Sequence, residues 1–157
     1  MARSSILIAL SVVAALGLTG CGKSTKSSGP VEWKGIFTTA ADCADAGKLS
    51  YDECSDAMAR AVTDHESNAQ TYSELRFCEA KEGPGRCEFG SGKYRSRLLA
   101  FLVTEGKPPK AVALYPPAKG RTGFRDSGGT LYTTDNEQLT FSEHAQTMFE
   151  THATKKR

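Results

Sequence analysis

Four cysteines, Cys43, Cys54, Cys78 and Cys87, fall within one short stretch of this 157-residue chain, and they restrict its fold more than any other feature. Cysteines so placed either hold a metal or pair with one another. Their spacing, Cys-x10-Cys-x23-Cys-x8-Cys, lacks the close C-x2–4-C pairs on tight turns that zinc sites use. No metal is therefore expected, and the four read as two disulfides, for which three connectivities exist. A weak internal repeat bears on the choice. Residues 37–47, FTTAADCADAG, match residues 72–83, YSELRFCEAKEG. Each unit begins with an aromatic and a hydroxyl residue, and each places a cysteine six residues after the aromatic. Thr38 or Ser73 would cap a short helix, Tyr72 would pack on Phe77 as a hydrophobic staple, and Gly47 or Gly83 would end the helix. Cys54 and Cys87 then lie just past the turns. This favours Cys43–Cys54 and Cys78–Cys87 over crossed pairing, each closing a loop worth about 2–3 kcal/mol.

Disulfides imply an oxidising compartment, and the N-terminal residues point to one. A basic residue, Arg3, precedes a largely apolar stretch of 13 residues, 6–18, whose last residue opens the run Leu18-Thr19-Gly20-Cys21. The apolar run is short for a membrane-spanning helix and has the length of a signal-peptide core. The four residues resemble the lipobox of bacterial lipoproteins. That resemblance implies cleavage before Cys21, lipidation of Cys21 and a partnership with the membrane through the lipid. Several acyl chains on one residue anchor firmly where a single chain does not. Gly22 and Lys23 follow in place of an Asp that would mark inner-membrane retention, so the resemblance favours the outer membrane, with the protein facing the periplasm. Residues 17–24, GLTGCGKS, also match the phosphate loop G-x-x-x-x-G-K-S. Such a loop needs a buried strand before it and a helix after it. The serines and Gly29-Pro30 that follow cannot sustain that helix, so no nucleotide or other cofactor is expected.

The expected organisation is a signal peptide at residues 1–20 and a lipidated polar tether at 21–30. A disulfide-stapled helical module at 31–91 and a mixed strand and loop region at 92–157 complete it. The fold class is α+β, a small stapled helical part followed by an irregular, short-stranded part. Ser50 and Glu53 form a capping box. Tyr51, Cys54, Met58, Ala61, Val62, His65 and Ala69 then keep helical spacing on one face, so a helix is expected over about 51–70. Residues 97–104, RLLAFLVT, are the most apolar of the mature chain, and their length separates neither helix from strand. Residues 111–115, between two Pro-Pro pairs, read as an edge strand. Residues 122–134 read as a hairpin turning at Ser127-Gly128-Gly129. Ser142 is the candidate N-cap of a short terminal helix with Ala145, Met148, Phe149 and His152 on one face, and Lys155, Lys156 and Arg157 complement its dipole.

Charge is divided along the chain. Residues 31–90 hold 12 acidic and 6 basic residues, and residues 91–157 hold 6 acidic and 11 basic. The basic residues are dispersed, unlike the dense runs of nucleic-acid readers, so no nucleic-acid partner is expected. Paired cysteines leave no thiol for a Cys–His nucleophile. His65 reads as a core histidine. His144 and His152, near the chain end, make a weak site. No catalytic residue is expected on these grounds. The favoured function is a non-enzymatic binding or scaffold module whose envelope partner is unknown, with residues 98–103 as the contact surface if they are exposed. The alternative is an enzyme or enzyme subunit of an envelope pathway, with His65, Tyr72 and Glu79 as the residues of interest. A third reading, a redox sensor, requires a strained or exposed disulfide.

One further resemblance rests on Asp42-Cys43, Cys54, Ala57, Ala61, Tyr72, Cys78-Glu79, Gly83 and Cys87-Glu88, with weaker echoes in SGKYRSRLLAFLV, LYPP and GTLY. This framework resembles the DUF1190 (UPF0441) family of bacterial lipoproteins. The chain lacks the low-complexity tail of the family's enteric members. The resemblance implies a lipid-anchored envelope protein and assigns no residue a chemical role.

Overall fold

The structure, a computed structural model, describes residues 32–118 and 120–154, with side chains to residue 149. Cys21, the leader, the tether and the basic triplet 155–157 lie outside the described residues. Strand β1 (Lys34–Phe37) is followed by helices α1 (Ala40–Asp45) and α2 (Tyr51–Asn68), then β2 (Thr71–Tyr72), α3 (Leu75–Glu82), β3 (Cys87–Gly90) and β4 (Lys93–Ser96). Strands β5 (Ala100–Thr104), β6 (Lys110–Leu114), β7 (Phe124–Arg125), β8 (Leu131–Tyr132) and β9 (Leu139–Phe141) lead to helix α4 (Glu143–Thr154). The chain is α+β, as its sequence implies.

The main sheet has the order β6-β5-β1-β9. Strand β1 runs antiparallel to β5, with Ile36 opposite Leu102, and parallel to β9, with Ile36 opposite Phe141. Alternation along the strands divides the core in two. Ile36, Ala100, Leu102 and Leu114 pack with Phe124 and with Ala145 of α4. Phe37, Phe101 and Val103 point the other way, onto Cys43, Cys54, Met58 and Ala61 of α1 and α2. Strand β5 is thus covered on both faces, which explains its unbroken apolar run. This corrects one expectation, because Leu99 to Val103 are buried and provide no contact surface. Gly35 is required in β1, where a Cβ would run into the rings of Phe37 and Trp33.

Both disulfides join neighbours in sequence, Cys43 to Cys54 and Cys78 to Cys87. Cys43–Cys54 pins α1 to α2, and Cys78–Cys87 pins α3 to β3. The caps follow sequence in part. Ser50 and Glu53 form the reciprocal capping box that starts α2. Helix α1 takes Thr39 as its cap, and the Thr38 hydroxyl instead donates to Asp42 over 2.6 Å. Ser73 does not cap α3. Glu74 holds that position with no side-chain bond to the helix. Gly83 ends α3 at φ +108°, a backbone conformation that side chains disfavour. The expected staple is replaced by other contacts. Phe77 is 48% exposed, with the Arg76 guanidinium 4.8 Å over its ring, and Tyr72 enters β2.

A second sheet, β2-β4-β3, pairs Glu88 with Arg95 and Phe89 with Tyr94. The hairpin β7–β8 turns as its sequence implies, held by Asp126, which accepts from the Thr130 N–H and the Tyr132 hydroxyl, both over 2.9 Å. Ser142 accepts from the Ala145 N–H over 3.2 Å and so caps α4. Residue 91, where the stapled module was expected to end, lies in the turn between β3 and β4, and β1 pairs only with strands from beyond it. Residues 31–91 and 92–157 therefore both supply strands to the main sheet and to the second sheet.

Candidate functional site

His65 lies on the inner stripe of α2, where the helix meets both sheets, and is 3% exposed. Its Nδ1 is 3.0 Å from the Tyr115 hydroxyl and its Nε2 is 2.9 Å from a Glu88 oxygen. A carboxylate only accepts, so Nε2 donates to Glu88, and in the neutral imidazole Nδ1 accepts from Tyr115. The other Glu88 oxygen accepts from the Leu98 N–H over 3.1 Å. Arg95, also buried, donates to the Glu66 carbonyl over 3.2 Å, and its Nε lies 4.0 Å from Glu88 without a hydrogen bond of its own.

A second cluster adjoins the first. Glu82 accepts from Arg125, from the Ser96 hydroxyl over 3.1 Å and from the Tyr72 hydroxyl over 3.4 Å. Arg125 also donates to the Pro116 carbonyl over 2.8 Å and lies 5.7 Å over the Tyr115 ring. Burial pushes the Tyr115 phenol above its ordinary pKa. Burial also raises Tyr72, together with the neighbouring Glu82 charge. Both phenols are thereby held as donors.

A hydroxyl, an imidazole and a carboxylate in line resemble an activated nucleophile. Tyr115 is 6% exposed, and clefts of about 330 to 430 Å³ elsewhere among the described residues are lined by other side chains. The three residues named from sequence do not converge. His65 joins Glu88 and Tyr115, Tyr72 joins Glu82, and Glu79 accepts from the Gly85 N–H over 2.7 Å to close the loop after α3. Among the described residues no three His, Cys, Asp or Glu side chains are placed to hold a metal. Nor is any helix there long and apolar enough to cross a membrane.

His144 meets Asp42 over 2.8 Å, tying α4 to α1 at a cleft of about 330 Å³. The bond to Asp42 and its charge raise the imidazole above its ordinary pKa. Burial pushes Asp42 upward, but bonds from Thr38 and His144 outweigh it and lower the carboxyl. The His152 side chain lies outside the described residues. Spacing along the chain carries no sign of the Asp42–His144 pair or of the parts Glu88, Tyr115 and Arg125 play.

A groove of about 430 Å³ lies between α2 and β6, lined by Ala57, Ala61, Ala111 and Ala113 among others. Arg60 reaches from α2 to the Pro109 carbonyl over 3.1 Å and divides this groove from a neighbouring one of about 350 Å³.

These features define a disulfide-stapled α+β module whose buried polar groups tie the main and second sheets to helix α2. The chain belongs to the DUF1190 family, described as a protein of unknown function, whose family model matches residues 32–155. No curated protein and no solved structure matches the chain.

Proposed function

We propose that this chain is a lipid-anchored bacterial envelope lipoprotein, fixed through Cys21 to the outer membrane and facing the periplasm. There it serves as a non-enzymatic binding or scaffold module. The observation that carries this reading is the burial of both disulfides within the packed interior. Two cystines built into a core this small suit an oxidising compartment and are rare in a reducing one. They stabilise a module whose core is divided into two small clusters. Their burial also counts against the redox-sensor reading, which needs a sulfur that a thiolate can reach.

Leu18-Thr19-Gly20-Cys21 supplies the attachment point and residues 22–30 the tether. The enzyme alternative draws on the Tyr115–His65–Glu88 chain, and the burial of that hydroxyl counts against it. Labelled palmitate given to cells expressing the protein is expected to enter it, and Cys21→Ser is expected to abolish the label. Equal labelling of that variant would refute the anchor.

A further inference from the structure

Five large apolar side chains stand exposed among the described residues, and three of them gather round one disulfide. Phe77 precedes Cys78, and Leu75 lies one turn before it, at the start of α3. Phe89 lies two residues after Cys87 in β3. The bridge holds the Cα atoms of Cys78 and Cys87 6.2 Å apart, so the three apolar residues share one region of the surface. Alternation gives Cys87 and Phe89 the same face of the second sheet. Helix α3 packs on that face, because Cys87 is bonded to Cys78 and Ser96, opposite Cys87, donates to Glu82. Its cover does not extend over Phe89, which is 65% exposed with its ring 4.9 Å from that of Tyr94. Leu75 is 41% exposed. Single exposed apolar residues are ordinary, but a cluster of them marks a surface that something covers.

The acidic groups nearby are mostly committed. Glu82 is held by Arg125, Glu79 by the Gly85 N–H, and Glu88 by His65 and the Leu98 N–H. Asp64 and Glu66 belong to α2, which packs on the other face of the sheet through Glu88 and Arg95. The exposed charges of α3 and its cap are Glu74, Arg76 and Lys81. Glu74 and Arg76 pair over 2.9 Å, which leaves Lys81. Lys93, at the hairpin end beside Tyr94, is exposed as well, and neither lysine is in an ion pair among the described residues. The uncommitted charge round the apolar cluster is therefore positive.

Chain length supplies the occupant. Cys21 precedes Glu32, the first described residue, by eleven residues, and eleven residues extend to at most about 40 Å. A lipidated Cys21 thus keeps a bilayer within reach of the module at all times, at a local concentration that no dissolved partner matches. Apolar side chains flanked by cations suit the boundary between headgroups and acyl chains of an anionic membrane.

We propose that the α3 face of the second sheet rests on the membrane that holds the anchor. Leu75, Phe77 and Phe89 enter the boundary region, and Lys81 and Lys93 meet the phosphate groups of anionic lipids. The membrane then orients the module as well as retaining it. This deepens the anchored-lipoprotein reading and rests on it.

The test uses the lipidated protein in vesicles of phosphatidylcholine and phosphatidylglycerol, with and without bromine on the acyl chains. Bromine quenches tryptophan emission at short range, and Trp33 is common to all samples. In Phe89→Trp the added ring should lie within about 10 Å of the acyl chains, so bromine is expected to lower its emission about twofold or more. Tyr51→Trp is the control. Tyr51 is exposed, stands about 21 Å along α2 from His65 and lies on the side of the sheet away from α3, so its variant should be quenched no more than the parent. Adding Lys81→Glu and Lys93→Glu to Phe89→Trp should reduce the quenching, and so should omitting phosphatidylglycerol.

Quenching of Phe89→Trp no greater than that of Tyr51→Trp would overturn the proposal. So would quenching indifferent to both lysines and to phosphatidylglycerol. A blue shift of the added tryptophan without quenching, which a second copy of the chain covering Phe89 would give, would also overturn it. A chain that takes up no palmitate refutes the anchor and this docking together, whereas a palmitate-labelled chain with unquenched Phe89→Trp emission refutes the docking alone.

Discussion

Replacing Cys43 and Cys54 by alanine tests how much of the fold depends on its staples. The bridge spans a sequence separation of 11 residues, and the chain-entropy relation gives about 2.8 kcal/mol for closing such a loop in the unfolded state. Cys78–Cys87 spans 9 residues, for about 2.7 kcal/mol by the same relation. Loop entropy alone therefore predicts nearly equal losses. Packing separates them. Cys43 and Cys54 sit among Phe37, Met58, Phe101 and Val103 in one of the two core clusters, and removing two sulfurs there leaves a void worth about 1 kcal/mol more. Cys78 and Cys87 are buried as well but belong to neither core cluster, and they join a short helix to a short strand, so less packing is lost with them. The expected losses are about 4 kcal/mol for Cys43→Ala with Cys54→Ala and about 3 kcal/mol for Cys78→Ala with Cys87→Ala. For a domain of this size 1 kcal/mol corresponds to about 4 °C in Tm, giving falls of about 16 and 12 °C. Urea unfolding and thermal melts of the oxidised parent and both double variants provide the comparison. A loss below about 1 kcal/mol for the first pair would show that the bridge does not limit the unfolded chain as reasoned. A larger loss for the second pair would refute the packing distinction.

Two further outcomes follow from the polar contacts. Tyr115→Phe removes one hydroxyl and leaves His65 Nδ1 without its 3.0 Å partner, so it should cost about 1–3 kcal/mol in urea unfolding, and a neutral result would mean the buried bond contributes nothing. The raised His144 pKa and lowered Asp42 pKa set a pH window for the tie between α4 and α1. The histidine contribution is complete below its unfolded pKa, near 6.5, and fades as pH rises through the higher folded value. The aspartate contribution is present above its unfolded pKa, near 3.8, and fades as pH falls through the lower folded value. In a proton-resonance titration Asp42→Asn should move the His144 midpoint downward, and an unmoved midpoint would contradict the pairing.

Elements whose signals are local were legible in the sequence. Ser50 and Glu53 are three residues apart, so the start of α2 could be read directly, and its end at Asn68 falls close to expectation. The Ser127-Gly128-Gly129 turn and the Ser142 cap were equally local. Strand β1 was not, because four residues including Gly35 carry little strand preference and Phe37 also fits the start of a helix. What makes β1 a strand is its pairing with residues 101–104 and 139–141, a tertiary effect that overrides local preference. Strand β5 was ambiguous because a strand buried on both faces loses the alternation that identifies it. The buried network was hidden for a related reason. Glu88 and Tyr115 reach His65 from 23 and 50 residues away, and no spacing rule links those positions.

The parallel pairing of β1 with β9 has a consequence for the order of assembly. Synthesis from the amino end releases Lys34–Phe37 long before Leu139–Phe141. Until the later segment emerges, Ile36 and Phe37 belong to a strand with an unoccupied side, open to adventitious pairing. Closure of the main sheet therefore waits on nearly the whole length of the chain, and a truncation that removes Leu139–Phe141 leaves an early-emerging strand permanently without one neighbour.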